Sequence, residues 1–99
     1  MDHEFSAELW EYEGEAPWVF VTLPADLADE IEDQAPRGGF GSVKVEVNCG
    51  QSLWSTSLFP DKKSASFVLP VKKEIRIAEG LSPGDQARFK ISVVRRASP

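Results

Sequence analysis

Cysteine, histidine and long hydrophobic runs are scarce in this sequence. Its single cysteine, Cys49, cannot form a disulfide within the chain, and small secreted domains usually carry several cysteines as cross-links. No apolar run approaches the roughly 20 residues of a membrane-spanning helix. The acidic start, residues 1–4, has neither the basic region nor the apolar region of a signal peptide. We therefore expect a cytoplasmic protein that does not associate with a membrane.

The same scarcity limits the chemistry that the chain can perform. His3 has no second histidine and no cysteine near it in the sequence, so we predict no zinc site. A serine or cysteine nucleophile usually needs a positioned base, commonly histidine, and nothing in the sequence brings His3 to Ser57 or Cys49. The acidic residues of segment 26–33 lack the alternating spacing around a glycine that a calcium loop requires. We predict no metal site, no cofactor and no catalytic residue.

Basic residues are absent from the first third of the chain. Residues 1–36 contain eleven acidic residues and no Lys or Arg, whereas residues 37–99 contain eleven basic and five acidic residues. Such asymmetry can mark a basic binding face. It also arises when strands from the two halves alternate in one sheet and neutralise each other, which is the interpretation we favour.

The remaining composition is typical of one folded domain. Hydrophobic residues make up 41% of the chain and aromatic residues 10%, which is enough apolar surface for a core. Seven Gly and seven Pro are too few for low-complexity disorder. A length of 99 residues corresponds to a single domain, which we predict to span residues 1–99.

Alternation of apolar and polar residues predicts about six strands. They span residues 4–12, 18–23, 43–48, 52–58, 67–69 and 87–93. The first two are expected to form a hairpin. Six short strands are too many for one flat open sheet in so short a chain, and closure removes the exposed edges. We therefore predict a mainly β fold, a small closed, largely antiparallel β-barrel of about six strands.

Two short helices complete the predicted architecture. Leu27 and Ile31 lie four residues apart among acidic residues and predict a helix over 25–34. A second helix is predicted over 72–79, with Gly80 as a left-handed cap.

Turns are predicted from proline, glycine and aspartate. Segment Ser82–Asp85 has the residues of a type II turn, with Gly84 at the position that requires a positive φ angle. Segment Phe59–Lys63 predicts another chain reversal. Segment Arg37–Ser42 is rich in glycine but lacks the lysine and the following helix of a phosphate-binding loop, so we interpret it as a crossing between elements.

Two segments combine an aromatic anchor, small hydroxyl groups and cations. In segment 52–60 small hydroxyls flank a tryptophan, and segment 69–85 carries basic residues at the start of the second helix. Together they can line a pocket for a polar or anionic ligand. The hypothetical ligand-binding residues are Trp54, Thr56, Ser57, Lys72 and Arg76.

A simpler interpretation of these residues stays open. Trp54 can belong to the core, and the basic residues can form a solvated face. Strand alternation also requires Thr56 to share a face with Trp54 and Ser57 to lie on the other. Helical spacing predicts that Lys72 and Arg76 project together while Lys73 points elsewhere.

Motifs along almost the whole chain carry a family resemblance. They are Phe5-x-Ala7-x-Leu9, Trp18-Val19-Phe20-Val21-x-Leu23-Pro24, Val43-x-Val45-x-Val47, Trp54-x-Thr56-Ser57-Leu58-Phe59-Pro60, Leu69-Pro70-Val71-Lys72-Lys73-x-Ile75-Arg76 and Gly80-x-x-x-Gly84-Asp85. This pattern resembles DUF1905, a bacterial domain-of-unknown-function family found alone or fused to a bacteriocin-protection-type (YdeI/OmpD-associated) domain. The resemblance implies a small closed, mainly antiparallel β-barrel with short helices. It implies no reaction, ligand or catalytic residue.

A second resemblance is local. Segments Lys73–Arg76 and Gly80–Asp85 are also similar to a stretch of AbrB/MazE-type swapped-hairpin transcription factors, which bind DNA as intertwined dimers. Those domains are much shorter than this chain. DNA affinity grows with the number of phosphates that Lys and Arg neutralise, so a chain of net charge −5 must segregate its bases to bind DNA.

We therefore expect a bacterial, cytoplasmic, non-enzymatic binding or interaction module. Its partner is a polar or anionic small ligand or another protein. An AbrB/MazE-like DNA-binding barrel and an unrecognised enzyme are the alternatives. A pocket lined by hydroxyls and cations favours the ligand-binding interpretation, and a continuous basic stripe favours DNA.

Overall fold

The computed structural model describes residues 2–14, 18–34 and 41–94 and places seven strands and two helices in them. The elements are β1 (Asp2–Glu8), β2 (Trp10–Tyr12), β3 (Trp18–Thr22), α1 (Ala25–Gln34), β4 (Val43–Cys49), β5 (Ser52–Asp61), β6 (Ser66–Pro70), α2 (Lys73–Glu79) and β7 (Gln86–Val93). The strands form one sheet in the order β1-β7-β4-β5-β6-β3-β2, and every neighbouring pair is antiparallel. The mainly β, largely antiparallel prediction is confirmed.

The predicted closed barrel of about six strands is wrong, because the sheet is an open half-barrel of seven strands over the described residues. The predicted first strand, 4–12, is two strands that lie at opposite ends of the sheet. Leu9 separates them: its N–H donates to the Asp85 carbonyl (2.9 Å), and its carbonyl accepts from the Gly84 N–H (2.8 Å). Because a distant loop takes both backbone groups of Leu9, the strand does not continue through this residue, and in the described ranges β1 pairs only with β7 and β2 only with β3.

Strand alternation builds the core. Val43, Val45 and Val47 are buried on β4, while Lys44 and Glu46 between them point to solvent. The largest side chains that are fully buried come from several strands, from α1 and from the junction of β1 and β2: Leu9, Ile31, Leu58, Leu69, Phe89 and Ile91. α1 has its two predicted apolar positions, Leu27 and Ile31, inside the core.

Both predicted helices are confirmed. α1 matches its predicted range. α2 begins at Lys73 and ends at Glu79, and Gly80 follows it with a φ of 65°, which gives the left-handed cap. The Gly80 N–H donates to the Ile77 carbonyl at 3.3 Å. The predicted reversal after residue 59 comes later, because β5 continues through Asp61 before the chain turns. Residues 37–40 of the predicted Arg37–Ser42 crossing lie outside the described residues.

The charge asymmetry of the sequence is partly explained by the sheet order. Acidic β1 lies beside basic β7, and Lys90 lies 3.5 Å from the carboxylate of Asp2 while Arg88 lies 3.8 Å from that of Glu4. These exposed pairs each contribute little to stability, about 0–1 kcal/mol. They do remove two bases from any continuous basic surface.

The type II turn predicts that replacing Gly84 lowers the stability of the protein. The Asp85 N–H donates to the Ser82 carbonyl at 3.0 Å, and Gly84 has a φ of 99°. A Cβ at this position would meet no atom within 4 Å, so backbone strain is the cost that we expect from Gly84→Ala. We predict a loss of about 1 kcal/mol of unfolding free energy, measured from urea midpoints.

Gly84→Asn is the matched control, because asparagine tolerates the left-handed region better than alanine. It should lose less stability than Gly84→Ala. Equal midpoints for wild type and Gly84→Ala would contradict the assigned turn.

Candidate functional site

A hollow opens between β5 and β6 because these two strands are paired over only a short length. Their register runs from Phe59 opposite Val68 to Asp61 opposite Ser66. Before Phe59, β5 pairs with β4, and beyond Val68 the residues of β6 pair with β3 on one edge and have no partner in β5 on the other. The two strands therefore part, and a hollow of about 550 Å³ opens between them.

We call this opening the seam hollow and define it by its lining. The lining comes from β3, β5, the end of β6 and the start of α2: Trp18, Val19, Trp54, Ser55, Thr56, Phe59, Pro70, Val71, Lys72, Lys73 and Arg76. α2 begins three residues after β6 ends. The cations of this segment, Lys72, Lys73 and Arg76, therefore line the hollow beside the end of β6.

Four of the five predicted ligand-binding residues line the seam hollow. Trp54 and Thr56 reach it from β5, and Lys72 and Arg76 reach it from the α2 side. Ser57 is not part of the lining. It lies opposite Lys44 in the register of β4 and β5, on the other face of β5 from Thr56, as strand alternation requires.

Lys73 also lines the hollow, although helical spacing predicted that it points elsewhere. The reason is the backbone of Lys72, which lies at the N-cap with φ −69° and ψ 158° and is extended. The helical backbone therefore starts at Lys73. The side chains of Lys72 and Lys73 are not separated by the rotation per residue of a helix, so both can face the hollow.

Trp54 belongs both to the core and to the lining. Only 6% of its surface is exposed, and it packs in the core cluster opposite Val47. Its buried indole N–H has no hydrogen-bond partner among the described residues. A buried donor without an acceptor costs about 1–3 kcal/mol, so folding alone gives no reason to retain it.

The cations of the seam hollow are held differently. The Nε–H of half-buried Arg76 donates to the Val71 carbonyl at 3.1 Å, which fixes the guanidinium against the lining and uses one of its five N–H donors. The Lys72 ammonium lies 3.8 Å from the Glu74 carboxylate, and both side chains are exposed. Such a pair is weak, so Lys72 is free to reorient towards an anion.

Trp18, Phe59, Ser55 and Lys73 line the hollow but were not predicted as site residues. Sequence reasoning treated the strand that contains Trp18 as apolar on both faces. Because Val19 and Val21 are buried, that strand alternates, and Trp18 points outward with 53% of its surface exposed. An aromatic residue on an outward position was the signal that could have identified Trp18.

The residues considered for catalysis lie elsewhere. His3 is buried on β1, and its Nδ1 lies 3.6 Å from the Glu30 carboxylate. Cys49 is a buried free thiol at the end of β4, with β7 between that strand and β1. Within 2–14, 18–34 and 41–94, no three His, Cys, Asp or Glu residues are grouped so that they could hold a metal ion.

Fold and lining together define a small antiparallel half-barrel with a hollow, partly cationic seam. The DUF1905 family model, described as a domain of unknown function, matches residues 5–91, and the chain therefore belongs to this family. Comparison with curated proteins finds no match to the chain. Neither helix in the described part of the chain is both long and apolar enough to cross a membrane.

The environment of Cys49 predicts that its thiol reacts slowly in the folded protein. Burial raises the pKa of the Cys49 thiol, and the nearby Glu79 carboxylate raises it further. Because the thiolate is the reactive form, we predict that the folded protein reacts with Ellman's reagent at pH 8 at least about tenfold more slowly than the urea-unfolded chain.

Glu79→Gln is the matched control, since it removes the charge and keeps an oxygen that can accept from the Ser52 hydroxyl, which now donates to Glu79 at 2.6 Å. This variant should react faster than wild type. A folded wild-type protein that reacts as fast as the unfolded chain would contradict the burial of the thiol.

Proposed function

We propose that this protein is a non-enzymatic binding module that takes an anionic small ligand in the seam hollow. One observation carries the proposal: Trp54, Thr56, Lys72 and Arg76, from segments far apart in the sequence, line a single hollow of about 550 Å³. This volume is within the range of about 300–1,000 Å³ that is usual for small-molecule sites.

The lining suits an anion that also has an apolar part. The Arg76 guanidinium, already fixed by Val71, can offer two parallel N–H groups to a carboxylate or a phosphate. Lys72 and Lys73 add mobile positive charge at the same end. Apolar side chains make up most of the remaining wall, which lowers the local dielectric constant and strengthens the attraction between these charges and an anion.

Binding is favoured over catalysis by the residue types in this lining. Among the described residues around the hollow there are cations, hydroxyls and apolar side chains, and no carboxylate, imidazole or thiol. General acid–base chemistry usually relies on one of those groups. We also place the module in the bacterial cytoplasm, an assignment supported by the family resemblance and by a single free cysteine, Cys49.

The proposal is tested by titrating ¹⁵N-labelled protein with inorganic phosphate, pyrophosphate and citrate. At least one of these anions should shift the Trp54 indole N–H and the Arg76 Nε–H signals with the same titration curve. Arg76→Met should weaken that binding by about tenfold or more, because a hydrogen bond to a charged group contributes roughly 1.5–3 kcal/mol.

Two further variants keep this result interpretable. Lys72→Met removes an exposed cation at the hollow without disturbing the Arg76 contact, and it should also weaken binding. Lys63→Met removes an exposed cation on the β5–β6 turn and should leave binding unchanged. Shifts confined to Lys62 and Lys63 that vanish at high salt, or no shifts with any of the three anions, would contradict the proposal.

A further inference from the structure

A second hollow lies on the outer face of the half-barrel formed by β2, β3, β6 and the end of β5. It has a volume of about 400 Å³, and we call it the aromatic groove. Its lining is Trp10, Tyr12, Trp18, Phe20, Phe59, Pro60, Asp61 and Val68. Tyr12 and Trp18 are each 53% exposed and Phe59 is 43% exposed, so the rings form an apolar patch open to solvent.

Strand register collects these rings on one face. Val19 and Val21 enter the core, so Trp18 and Phe20 must point outward. β2 pairs with β3 so that Trp10 lies opposite Phe20 and Tyr12 lies opposite Trp18. Folding requires only the inward positions of this hairpin to be apolar. Aromatic residues at the outward positions therefore need another explanation.

The rings are held in place before any ligand arrives. Phe20 lies at their centre, with its ring centroid 6.1 Å from that of Trp18 at an interplanar angle of 12°, and 5.3 Å from that of Trp10. The Trp10 indole N–H donates to the Thr22 hydroxyl at 2.9 Å, which fixes the orientation of that ring. A fixed platform loses little conformational entropy when a planar group stacks on it.

The aromatic groove and the seam hollow are adjacent. Trp18 and Phe59 line both of them, so the two rings form a shared border. The charges in the two hollows differ in sign. Lys72, Lys73 and Arg76 line the seam hollow, and Asp61 lines the aromatic groove.

Asp61 limits what the groove can accept. Its Oδ2 accepts hydrogen bonds from the hydroxyl (2.8 Å) and the backbone N–H (3.3 Å) of Ser64, so the carboxylate has a fixed orientation. A carboxylate has room for about four hydrogen bonds, and it repels an anion but accepts from an amino group or a ring N–H. A bound ligand is therefore oriented with its anion at Arg76 and an uncharged, donor-bearing ring in the groove.

We infer that the ligand of this protein joins an anionic group, held at Lys72 and Arg76, to a planar nitrogen-containing ring that lies in the aromatic groove. Nucleoside monophosphates are the simplest class of molecule with both parts. This inference rests on the proposed function, because the same seam hollow holds the anion. It adds the ring, its position against Trp18 and Phe59, and the orientation set by Asp61.

The test compares three nucleoside monophosphates (AMP, GMP and UMP) and the flavin phosphate FMN with inorganic phosphate, adenosine and a single-stranded oligonucleotide. The three tryptophan indole N–H signals are followed by NMR and assigned with single Trp→Phe variants. At least one nucleotide should shift the Trp10, Trp18 and Trp54 signals together. It should bind about tenfold or more tightly than phosphate, since stacking on aromatic side chains contributes substantially to affinity.

Variants of Tyr12, which lines the aromatic groove and not the seam hollow, separate the ring from the anion. Tyr12→Ala should reduce nucleotide affinity by about tenfold while leaving phosphate affinity unchanged, and Tyr12→Phe should restore most of the loss because it keeps a ring. Leu53→Ala, at an exposed apolar residue outside both hollows, is the control and should change neither affinity.

The possible outcomes distinguish this inference from the proposed function. Equal affinities for phosphate and all four nucleotides, with shifts limited to Trp54 and Arg76, would contradict ring binding in the aromatic groove and would still support the anion site. Adenosine binding as tightly as AMP would overturn the link between the two hollows. A single-stranded oligonucleotide that binds far more tightly than any mononucleotide, with strong salt dependence, would overturn the small-molecule assignment. No binding of any of these probes, of pyrophosphate or of citrate would overturn both proposals.

Discussion

The change of pairing partner along β5 at Phe59 is the constraint on which the rest of this structure depends. One strand serves two halves of the sheet, pairing with β4 through Leu58 and with β6 from Phe59 onward. A longer ladder between β5 and β6 would fill the seam hollow. Because that ladder ends at Phe59 and Val68, the last residues of β6 pair with β3 alone among the described strands, α2 begins beside the opening, and Trp54, paired with Val47 on one side, lines the hollow on the other.

Local sequence signals predicted most helices, strands and turns. They failed at Leu9, where hydrogen bonds to distant backbone groups decide where one strand ends and the next begins. Helix α1, the Gly80 cap and the Gly84 turn depend on nearby residues, so their signals were sufficient. Apolar residues fall at odd positions through Leu9 and at even positions from Trp10, but this shift of phase does not by itself distinguish a strand break from an outward-facing Trp10. The break comes from hydrogen bonds to Gly84 and Asp85, more than seventy positions away, which explains why a closed barrel was predicted and an open one is found.

The candidate site was predictable in its chemistry and less so in its geometry. Trp54, Thr56, Lys72 and Arg76 were identified by residue type, and β5 and α2 do bring them to one hollow. Ser57 was included for its hydroxyl, but alternation along β5 turns it away. Trp18 and Phe59 were missed because their roles depend on where two strands part, and the point of parting is set by the pairing partners of β5 and β6.

The attachment of β1 has a consequence for how the chain folds. β1 pairs only with β7 within the described residues, so Asp2 meets Ser92 and the first strand of the chain depends on the last. Leu9 likewise depends on Gly84 and Asp85. Contacts between such distant positions carry a high entropic cost of loop closure and slow the search for the native state. On the ribosome the β1 edge must remain unpaired until residues 84–92 have emerged, and the acidic residues that precede Leu9 keep that waiting segment soluble.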